Sequence, residues 1–408
     1  MANTTSRKDN KGRKLKDGES QRTDGRYMYR YTNKKTGKRI SIYARDLAEL
    51  REKEKALTLD LYNNVQTETN VKNLTLNNLF ERHLNTLDVS QSTVVNYRSA
   101  WNNLIKDTIG EYKVVQILPS DIKSFYAELA RKDYAYSTIK RCHNLLHPVL
   151  ELAVNDDIIL KNPTKGMLNA KYGRAEKGKQ ALTIEQQKNL LAFVQTNSLY
   201  NGYYPMLVIM LGTGVRCGEL VGLTWQDVDM EAGYISINHQ LIYKDFGDGC
   251  KLHSSTPKTS AGIRTIPMSE SVKKAFQNQK ALNDLMGKNG SIKIDNYTDF
   301  IFMTKRSNPI LSVSVNKILA NIVKAYNTAE QEKADTEHRK ADFMPAISAH
   351  TMRHTFCTRM AENGMDIKVL QYIMGHANVN ITMQVYTHIA EKKRIEDEIA
   401  RFDFFAVS

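Results

Sequence analysis

The chain has 408 residues, of which 41% are hydrophobic and 25% charged, a composition that suits two or three globular domains and excludes a single ordinary core. Its 58 Lys and Arg against 44 Asp and Glu give a formal charge of +14, so a polyanion is the expected partner. Four cysteines lie far apart and no apolar run is long enough to span a bilayer, which argues against a disulfide framework, a zinc knuckle and a membrane protein. We expect a soluble intracellular protein.

The N-terminal 45 residues carry most of the excess charge, with 14 Lys and Arg against four acids. Residues 1–12 are predicted to be a disordered basic tail. The alternating runs 26–31 and 39–43 predict a β-hairpin, and leucines at helical spacing after residue 46 predict a covering helix. These patterns predict a domain over residues 13–66 with a three-stranded sheet plus a helix.

A basic sheet that carries aromatic side chains can present cations to a DNA groove. A surface hairpin with solvated charges would have the same pattern, so both interpretations stay open at this point. The candidate DNA contacts in the hairpin are Arg26, Tyr29, Arg30, Lys34, Lys35, Lys38 and Arg39.

Residues 74–163 have the apolar periodicity of a small helical domain. The predicted helices cover residues 75–87, 90–109, 119–131 and 137–155, with Ser90 and Ser137 as N-caps. Charge on a helix is usually only a solvated face, but the position of this domain after a basic module favours DNA contact. The candidate contacts are Arg98, Lys140 and Arg141.

A polar and basic stretch, residues 164–181, predicts an interdomain linker. Its candidate DNA contacts are Lys171, Arg174, Lys177 and Lys179. Residues 182–400 form the largest predicted unit, in which helices surround one small sheet. The predicted strands are residues 234–238, 252–258 and 262–268.

Two further segments of this unit are predicted from their composition. Residues 327–343 are charged and poor in apolar side chains, which predicts a mobile surface excursion. A charged amphipathic helix is predicted up to residue 401, followed by a tail over residues 401–408 whose phenylalanines could dock on a neighbouring subunit. The expected fold class is a multidomain protein, mainly α with small β-sheets.

Arg216 follows a Gly-Thr-Gly turn and precedes Glu219 by three residues. The glycines allow a close approach of the chain, and Glu219 lies one helical turn away, where it can orient the guanidinium toward an anion. An internal salt bridge is the simpler interpretation of this pair alone. Lys258, in a Pro-Lys-Thr turn between two predicted strands, would also be an ordinary exposed lysine without the other motifs.

His350 and Arg353 begin a predicted helix with the spacing i, i+3, which puts imidazole and guanidinium on one face. Zinc binding by the histidines at 350, 354, 376 and 388 is an alternative, but no His-Glu-x-x-His glutamate accompanies them. His376 follows a glycine, and Tyr386 comes ten residues later.

These residues form a set of cations, imidazoles and one phenol without a carboxylate cluster. A metal-dependent nuclease holds its ions with several acids, so a site of Arg, His and Lys must itself stabilise the transition-state charge. The set therefore indicates phosphoryl transfer onto tyrosine, with no metal and no cofactor.

The same motifs resemble the tyrosine recombinase family, the phage lambda-type integrases. The matching motifs, in order, are Thr213-Gly-Val-Arg216, Lys258, His350-Thr-Met-Arg353, Gly375-His376 and Tyr386-Thr-His388. The N-terminal hairpin and helix further resemble the arm-type DNA-binding domain of conjugative-transposon integrases. Departures are Met374, where the family usually has leucine, and Ile381-Thr382, which replaces a frequent Thr-Thr pair.

The resemblance implies an arm-binding domain, a SAM-like helical core-binding domain and a mixed α+β catalytic domain. It implies that Tyr386 forms a 3′-phosphotyrosine, that Arg216, Arg353 and His376 hold the phosphate oxygens, that Lys258 protonates the leaving 5′-oxygen, and that His350 assists proton movement. The implied partners are double-stranded DNA at core, arm and target sites, three further subunits in a tetramer on DNA, an excisionase and a host DNA-bending protein. The implied location is the nucleoid of the bacterial cytoplasm.

Two alternatives remain from the sequence. A type IB topoisomerase would share the catalytic residues and relax supercoils as a monomer. A non-catalytic DNA-binding regulator could keep the fold without the reaction. The separate basic N-terminal module favours a recombinase that binds two kinds of DNA site.

Overall fold

The computed structural model describes residues 7–32, 39–62, 72–174, 181–247, 249–257, 259–288 and 292–388, and the side chains of residues 56, 58–62 and 384–388 are outside that description. The chain divides into two compact units, residues 1–176 and 177–408. None of the described helices combines the length and apolar composition needed to span a bilayer.

The first unit opens with a small antiparallel sheet in the order β1-β2-β3, followed by one helix. The elements are β1 (Glu19–Gln21), β2 (Tyr27–Thr32), β3 (Arg39–Ala44) and α1 (Leu47–Tyr62). Strand alternation places Tyr27 in the core with Leu47 and Leu50 of α1, and Tyr29 packs against the same core. The opposite face of β2 carries Arg30.

The disordered tail predicted for residues 1–12 is wrong from residue 7 onward. Asp9 is buried, and its carboxylate accepts hydrogen bonds from the backbone N–H of Arg13 at 2.7 Å and from the hydroxyl of Tyr27 at 2.9 Å. A buried carboxylate with these donors anchors the segment to the sheet. Residues 1–6 lie outside the described residues.

The rest of the first unit is helical. Its helices are α2 (Leu76–Thr86), α3 (Gln91–Leu104), α4 (Pro119–Arg131) and α5 (Tyr136–Asn155). Phe80 and Trp101 stack at 3.9 Å between ring centroids in the core, and the indole N–H donates to Asn77 Oδ1 at 2.7 Å. Truncation of such a buried aromatic to alanine costs about 3–5 kcal/mol, so this pair holds α2 against α3.

Ser90 occupies the predicted N-cap position of α3, although its side chain makes no bond to the helix backbone. The prediction of Ser137 as an N-cap is wrong, because Ser137 lies inside α5, whose N-cap is Ala135. The linker predicted from residue 164 also begins too early. Thr164 is buried, and the backbone of Arg174 pairs with the chain on both sides of Ala135.

The second unit contains two small sheets where the sequence predicts one. Its strands are β4 (Val228–Asp229), β5 (Tyr234–Ile237), β6 (Gln240–Asp245), β7 (Cys250–Ser255) and β8 (Arg264–Pro267). The orders are β4-β5-β8 and β6-β7, so β7 pairs with the unpredicted β6 and not with β8. Lys258, which the sequence places between neighbouring strands, lies outside the described residues.

Eight helices of the second unit are described. They are α6 (Ile184–Thr196), α7 (Tyr204–Thr213), α8 (Cys217–Gly222), α9 (Glu270–Leu285), α10 (Ser312–Thr336), α11 (Ala349–Glu362), α12 (Ile367–Met374) and α13 (Val379–His388). Helix α7 is buried along nearly all its length and packs against α9 and α11. This central position explains its uninterrupted apolar sequence.

The mobile excursion predicted for residues 327–343 is wrong. Helix α10 continues to residue 336, and Asn327 holds the segment beyond it by bonding both the backbone N–H and the carbonyl of Met344, at 2.7 and 3.0 Å. Arg339 pairs with Glu330 and Glu337 at 2.6 Å. The charges that suggested mobility pair with one another.

Candidate active site

The site is built where α7 ends, α8 begins and α12 ends. Gly214 caps α7 with φ +63° and Gly375 caps α12 with φ +59°, both in the left-handed region that glycine adopts without strain. A Cβ on Gly214 would also lie 2.3 Å from Cδ1 of Phe356. Only glycine lets α7 and α11 approach this closely.

Three consecutive carbonyl groups at the end of α12 accept hydrogen bonds from three arginines. The pairs are Ile373 with Arg264, Met374 with Arg353, and Gly375 with Arg216. The last carbonyls of a helix lack partners within the helix and carry partial negative charge, so guanidinium groups both satisfy and stabilise them. The bonds fix the turn directly before His376.

Glu219 is the carboxylate shared by two of these arginines. It accepts from Arg216 Nη1 at 2.8 Å and from Arg264 Nη1 and Nη2 at 3.1 and 2.8 Å, and it also caps the Arg216 backbone N–H at 2.8 Å. Burial raises the pKa of Glu219, but hydrogen bonds and charge from Arg264 and Arg216 outweigh it and lower the pKa to about 2. Glu219 is therefore ionised at neutral pH.

Arg353 lies buried in α11 and also donates to the Gly214 carbonyl at 2.7 Å. Burial and repulsion from Arg216 lower the pKa of Arg353 below its usual value. Within the described residues, the cluster thus sets three guanidinium groups, those of Arg216, Arg264 and Arg353, against one carboxylate. Arg216 keeps 39% of its side chain exposed, so the unbalanced charge is accessible to an anion.

His376 adjoins this cluster. Its Nδ1 lies 3.0 Å from the hydroxyl of the buried Thr382, and its backbone N–H donates to the Gln371 carbonyl at 3.1 Å. Burial and then the charges of Arg353 and Arg216 lower the pKa of His376 to about 4. The imidazole is therefore neutral at pH 7, and when the Thr382 hydroxyl donates to Nδ1, the ring proton is on Nε2.

The structure describes the other predicted catalytic residues to different extents. His350 is exposed in the first turn of α11, three residues before Arg353. The backbone of Tyr386 lies in α13, which packs against α11 and α12, but its side chain and Lys258 are outside the described residues. Of the six predicted catalytic residues, the structure brings Arg216, Arg353 and His376 together, and His350 lies close enough for its charge to contribute to the lowered pKa of His376.

The predicted DNA contacts of the hairpin differ in their exposure to solvent. Arg26, Arg30 and Arg39 are exposed, and Arg26 pairs with Asp24 at 2.7 Å. Tyr29 is partly buried and packs against the core on the helix-covered face, and its contact with DNA stays a prediction. The lysines outside the described residues are Lys34, Lys35, Lys38, Lys177 and Lys179.

The candidate contacts on the helical domain are all exposed. They are Arg98, Lys140, Arg141, Lys171 and Arg174. Arg98 pairs with Glu81 at 2.7 Å, and Arg174 lies 3.5 Å from Asp133. Surface pairs of this kind contribute little and can open to bind another anion.

Two residues of the site are missed by the sequence interpretation. Arg264 belongs to none of the motifs, yet it lies two residues before the core residue Ile266 on the same face of β8, a spacing that predicts an inward-facing, buried arginine. Thr382 is considered there only as a departure from a family pattern, whereas its hydroxyl contacts His376. No group of three or more His, Cys, Asp or Glu able to hold a metal ion occurs in the described parts of the chain.

Comparison with known proteins identifies the family. Residues 180–393 match the phage integrase family and residues 3–61 match the DNA binding domain of Tn916 integrase. The chain is 35% identical to the transposase from transposon Tn1545 of Streptococcus pneumoniae and 34% identical to the transposase from transposon Tn916 of Enterococcus faecalis; each alignment covers 96% of this chain and 97% of the relative.

Among solved structures, the fold is similar to that of the Tn1549 transposon integrase in complex with transposon right end DNA. The TM-score is 0.71 at 32% identity, and the match covers 81% of this chain and 99% of the other. The expected multidomain fold, mainly α with small sheets, is confirmed. As its motifs predict, the chain belongs to the phage integrase family of tyrosine recombinases.

Proposed function

We propose that this protein is the integrase of a conjugative transposon, which integrates and excises the element by cutting and rejoining DNA through Tyr386. The observation that carries the proposal is the cluster of three arginines and one carboxylate at the turn before His376. His376 in turn lies ten residues before Tyr386. Three guanidinium groups and one carboxylate leave two positive charges unbalanced, and the negative charge of a DNA phosphate neutralises part of this excess.

In the proposed reaction, the Tyr386 oxygen attacks the scissile phosphorus and gives up its proton with the help of His350. The bond from phosphorus to the 5′-oxygen breaks, and Lys258 donates a proton to that oxygen. The products are a 3′-phosphotyrosine and a free 5′-hydroxyl. Attack by the 5′-hydroxyl of another strand reverses the step and joins the new pair of ends, without an outside energy source.

Arg216, Arg353 and His376 hold the non-bridging oxygens in this proposal. Their donors are already fixed by Gly214, Gly375 and Thr382, so they need little reorganisation when charge develops on the phosphate. The low pKa values of Arg353 and His376 have the same origin, because each group lies near other cations and away from water. A bound phosphate reverses this repulsion and favours the protonated form of both groups.

Double-stranded DNA is the proposed partner, at core, arm and target sites. The complex of the Tn1549 integrase with transposon right end DNA supports the first of these, and the match of residues 3–61 to the DNA binding domain of Tn916 integrase supports a second contact. A tetramer on DNA, an excisionase and a host DNA-bending protein complete the proposal. The N-terminal match favours the recombinase over a type IB topoisomerase.

The test is covalent trapping on a suicide substrate, an element-end duplex with a nick beside the scissile phosphate. The full-length protein is expected to form an adduct that resists denaturation and EDTA, whereas Tyr386→Phe binds the duplex and forms none. Tyr326→Phe, at a tyrosine of α10 that packs edge-to-face against Phe193, is the matched control and keeps the adduct. A modified peptide that lacks residue 386 would contradict the assignment.

A further inference from the structure

Arg264 is the most enclosed member of the active-site cluster. Its side chain is 0% exposed, so it does not reach DNA itself. It nevertheless bonds three separate parts of the chain: the Ile373 carbonyl at the end of α12 through Nε, both oxygens of Glu219 in α8, and the Gly262 carbonyl before β8 at 3.0 Å. One planar guanidinium thus ties together a strand and two helix ends.

We propose that Arg264 is a positioning residue for strand cleavage, which sets the orientation of Arg216 and the place of His376 through Glu219 and the end of α12. The proposal rests on the proposed function, because cleavage by Tyr386 is the reaction that it serves. Arg264 acts on both sides of the phosphate site at once, since Glu219 bonds Arg216 and the Ile373 carbonyl lies three residues before His376.

The two contacts of Glu219 explain why Arg264 matters for Arg216. With Arg264 in place, Glu219 divides its oxygens between two arginines. The Arg216 guanidinium bonds Glu219 through Nη1 alone, while its Nη2 bonds the Gly375 carbonyl. Without Arg264, Glu219 pairs with Arg216 only. A bidentate pair would then turn the guanidinium toward Glu219 and neutralise the charge that the phosphate requires.

The bond to Ile373 explains the effect on His376. The carbonyls of residues 373–375 have no donors from within α12, and each accepts from a different arginine. Removing the first of the three loosens the last turn of α12, from which the chain leads directly to His376. A displacement of about 1 Å in a catalytic group can slow a reaction about 10²-fold.

The experiment compares Arg264→Met and Arg264→Lys with Arg359→Met in the full-length protein. Arg359 is a matched control, because it also joins a backbone carbonyl, that of Leu182, to a carboxylate, Glu362, in the same unit. Single-turnover cleavage of the suicide substrate at saturating protein gives the rate, and duplex titration gives the Kd. Thermal unfolding of each variant measures how far it is destabilised.

Arg264→Met is expected to cleave about 10²-fold more slowly than the wild type, with a Kd within about threefold. The cleavage rate of Arg264→Lys is expected to lie between those of Arg264→Met and the wild type, at a loss of about tenfold. Lysine restores the charge but cannot bond Glu219 and the Ile373 carbonyl at the same time. Arg359→Met should lose stability and keep the wild-type rate.

Equal rates for Arg264→Met and Arg359→Met would overturn the proposal. If Arg264→Met does not fold, Arg264→Lys decides, and a wild-type rate in that variant overturns it. If the proposed function itself is wrong, the observation is different, because the wild-type protein then forms no adduct at Tyr386.

Discussion

Buried ion pairs occur in both units of the chain, but the partner that is buried differs between them. In the N-terminal module the carboxylates of Asp9 and Glu19 are buried, and their partners Arg13 and Arg51 keep 44% and 35% of their side chains exposed. In the active site the buried groups include two guanidiniums, those of Arg264 and Arg353. Each of these N-terminal pairs encloses only its acid, whereas the active site encloses two cations together with one acid, Glu219.

This difference distinguishes charges that are balanced within the fold from charges that are left to bind a ligand. An enclosed acid with a half-exposed arginine is satisfied within the fold, and although burial raises its pKa, hydrogen bonds from Arg13 and Tyr27 lower the pKa of Asp9 to about 2. Enclosed cations that outnumber the carboxylate are satisfied mainly by backbone carbonyls, which are dipoles and not charges. Such a site has a net positive potential that an anionic ligand can neutralise.

The largest expected effect is on stability, and it compares Glu219→Gln with Glu19→Gln. Loss of Glu219 leaves the enclosed Arg264 without a countercharge, so the free energy of unfolding of the second unit should fall by about 3–5 kcal/mol. Loss of Glu19 leaves Arg51 partly hydrated and should cost about 1–3 kcal/mol. Hydrogen exchange of peptides from each unit measures both changes, and equal losses would contradict the contrast.

A second prediction concerns the rate of cleavage. Arg353→Ala should slow adduct formation by about 10²–10³, the scale for loss of one preorganised donor to a developing oxyanion. Arg51→Ala, in the N-terminal module, should leave cleavage of a duplex with only a core site unchanged. Circular dichroism checks that both variants fold. A wild-type rate in Arg353→Ala would remove this arginine from the proposed reaction.

The sequence predicts the members of the site better than their connections. Arg216, Arg353 and His376 follow from motifs, since each lies beside a glycine turn or at the start of a helix. Arg264 does not, because its role depends on β8 pairing with β5 and lying beside the end of α12, which are long-range contacts. Local patterns do not specify such contacts.

The fold shows the same limit. Helix α4 has the predicted bounds, residues 119–131, because a proline at its first position and apolar periodicity define it locally. The pairing of β7 with β6 instead of β8 is decided by tertiary packing. Residues 327–343 are also misjudged, because ion pairs between residues about ten apart order a segment whose composition alone suggests mobility.

A third prediction tests the unbalanced charge with a small anion. Inorganic phosphate at 100 times its Kd should stabilise the second unit by about 2.7 kcal/mol relative to chloride at equal ionic strength. The first unit serves as an internal control, because general salt effects act on both units. Hydrogen exchange again measures each unit separately. An equal gain in both units, or a full gain in Arg353→Ala, would contradict a phosphate site.

The smallest expected effect is the pH dependence that His376 gives to the second unit. Its pKa is about 4 in the folded protein and near 6.5 when unfolded, so between these values the unfolded chain binds a proton that the folded chain does not. Stability should therefore fall as the pH drops from about 6.5 to about 4, with up to about 2 kcal/mol lost between pH 7 and pH 5.

His83 in the helical domain is the matched control, because burial also lowers its pKa. His376→Gln should remove its share of the pH dependence from the second unit, and His83→Gln should remove its share from the first. Added phosphate should weaken the effect of His376 alone, since the cations around it are then neutralised. If phosphate changes the two histidines equally, the low pKa of His376 arises from burial, and the contrast between the two regions does not extend to it.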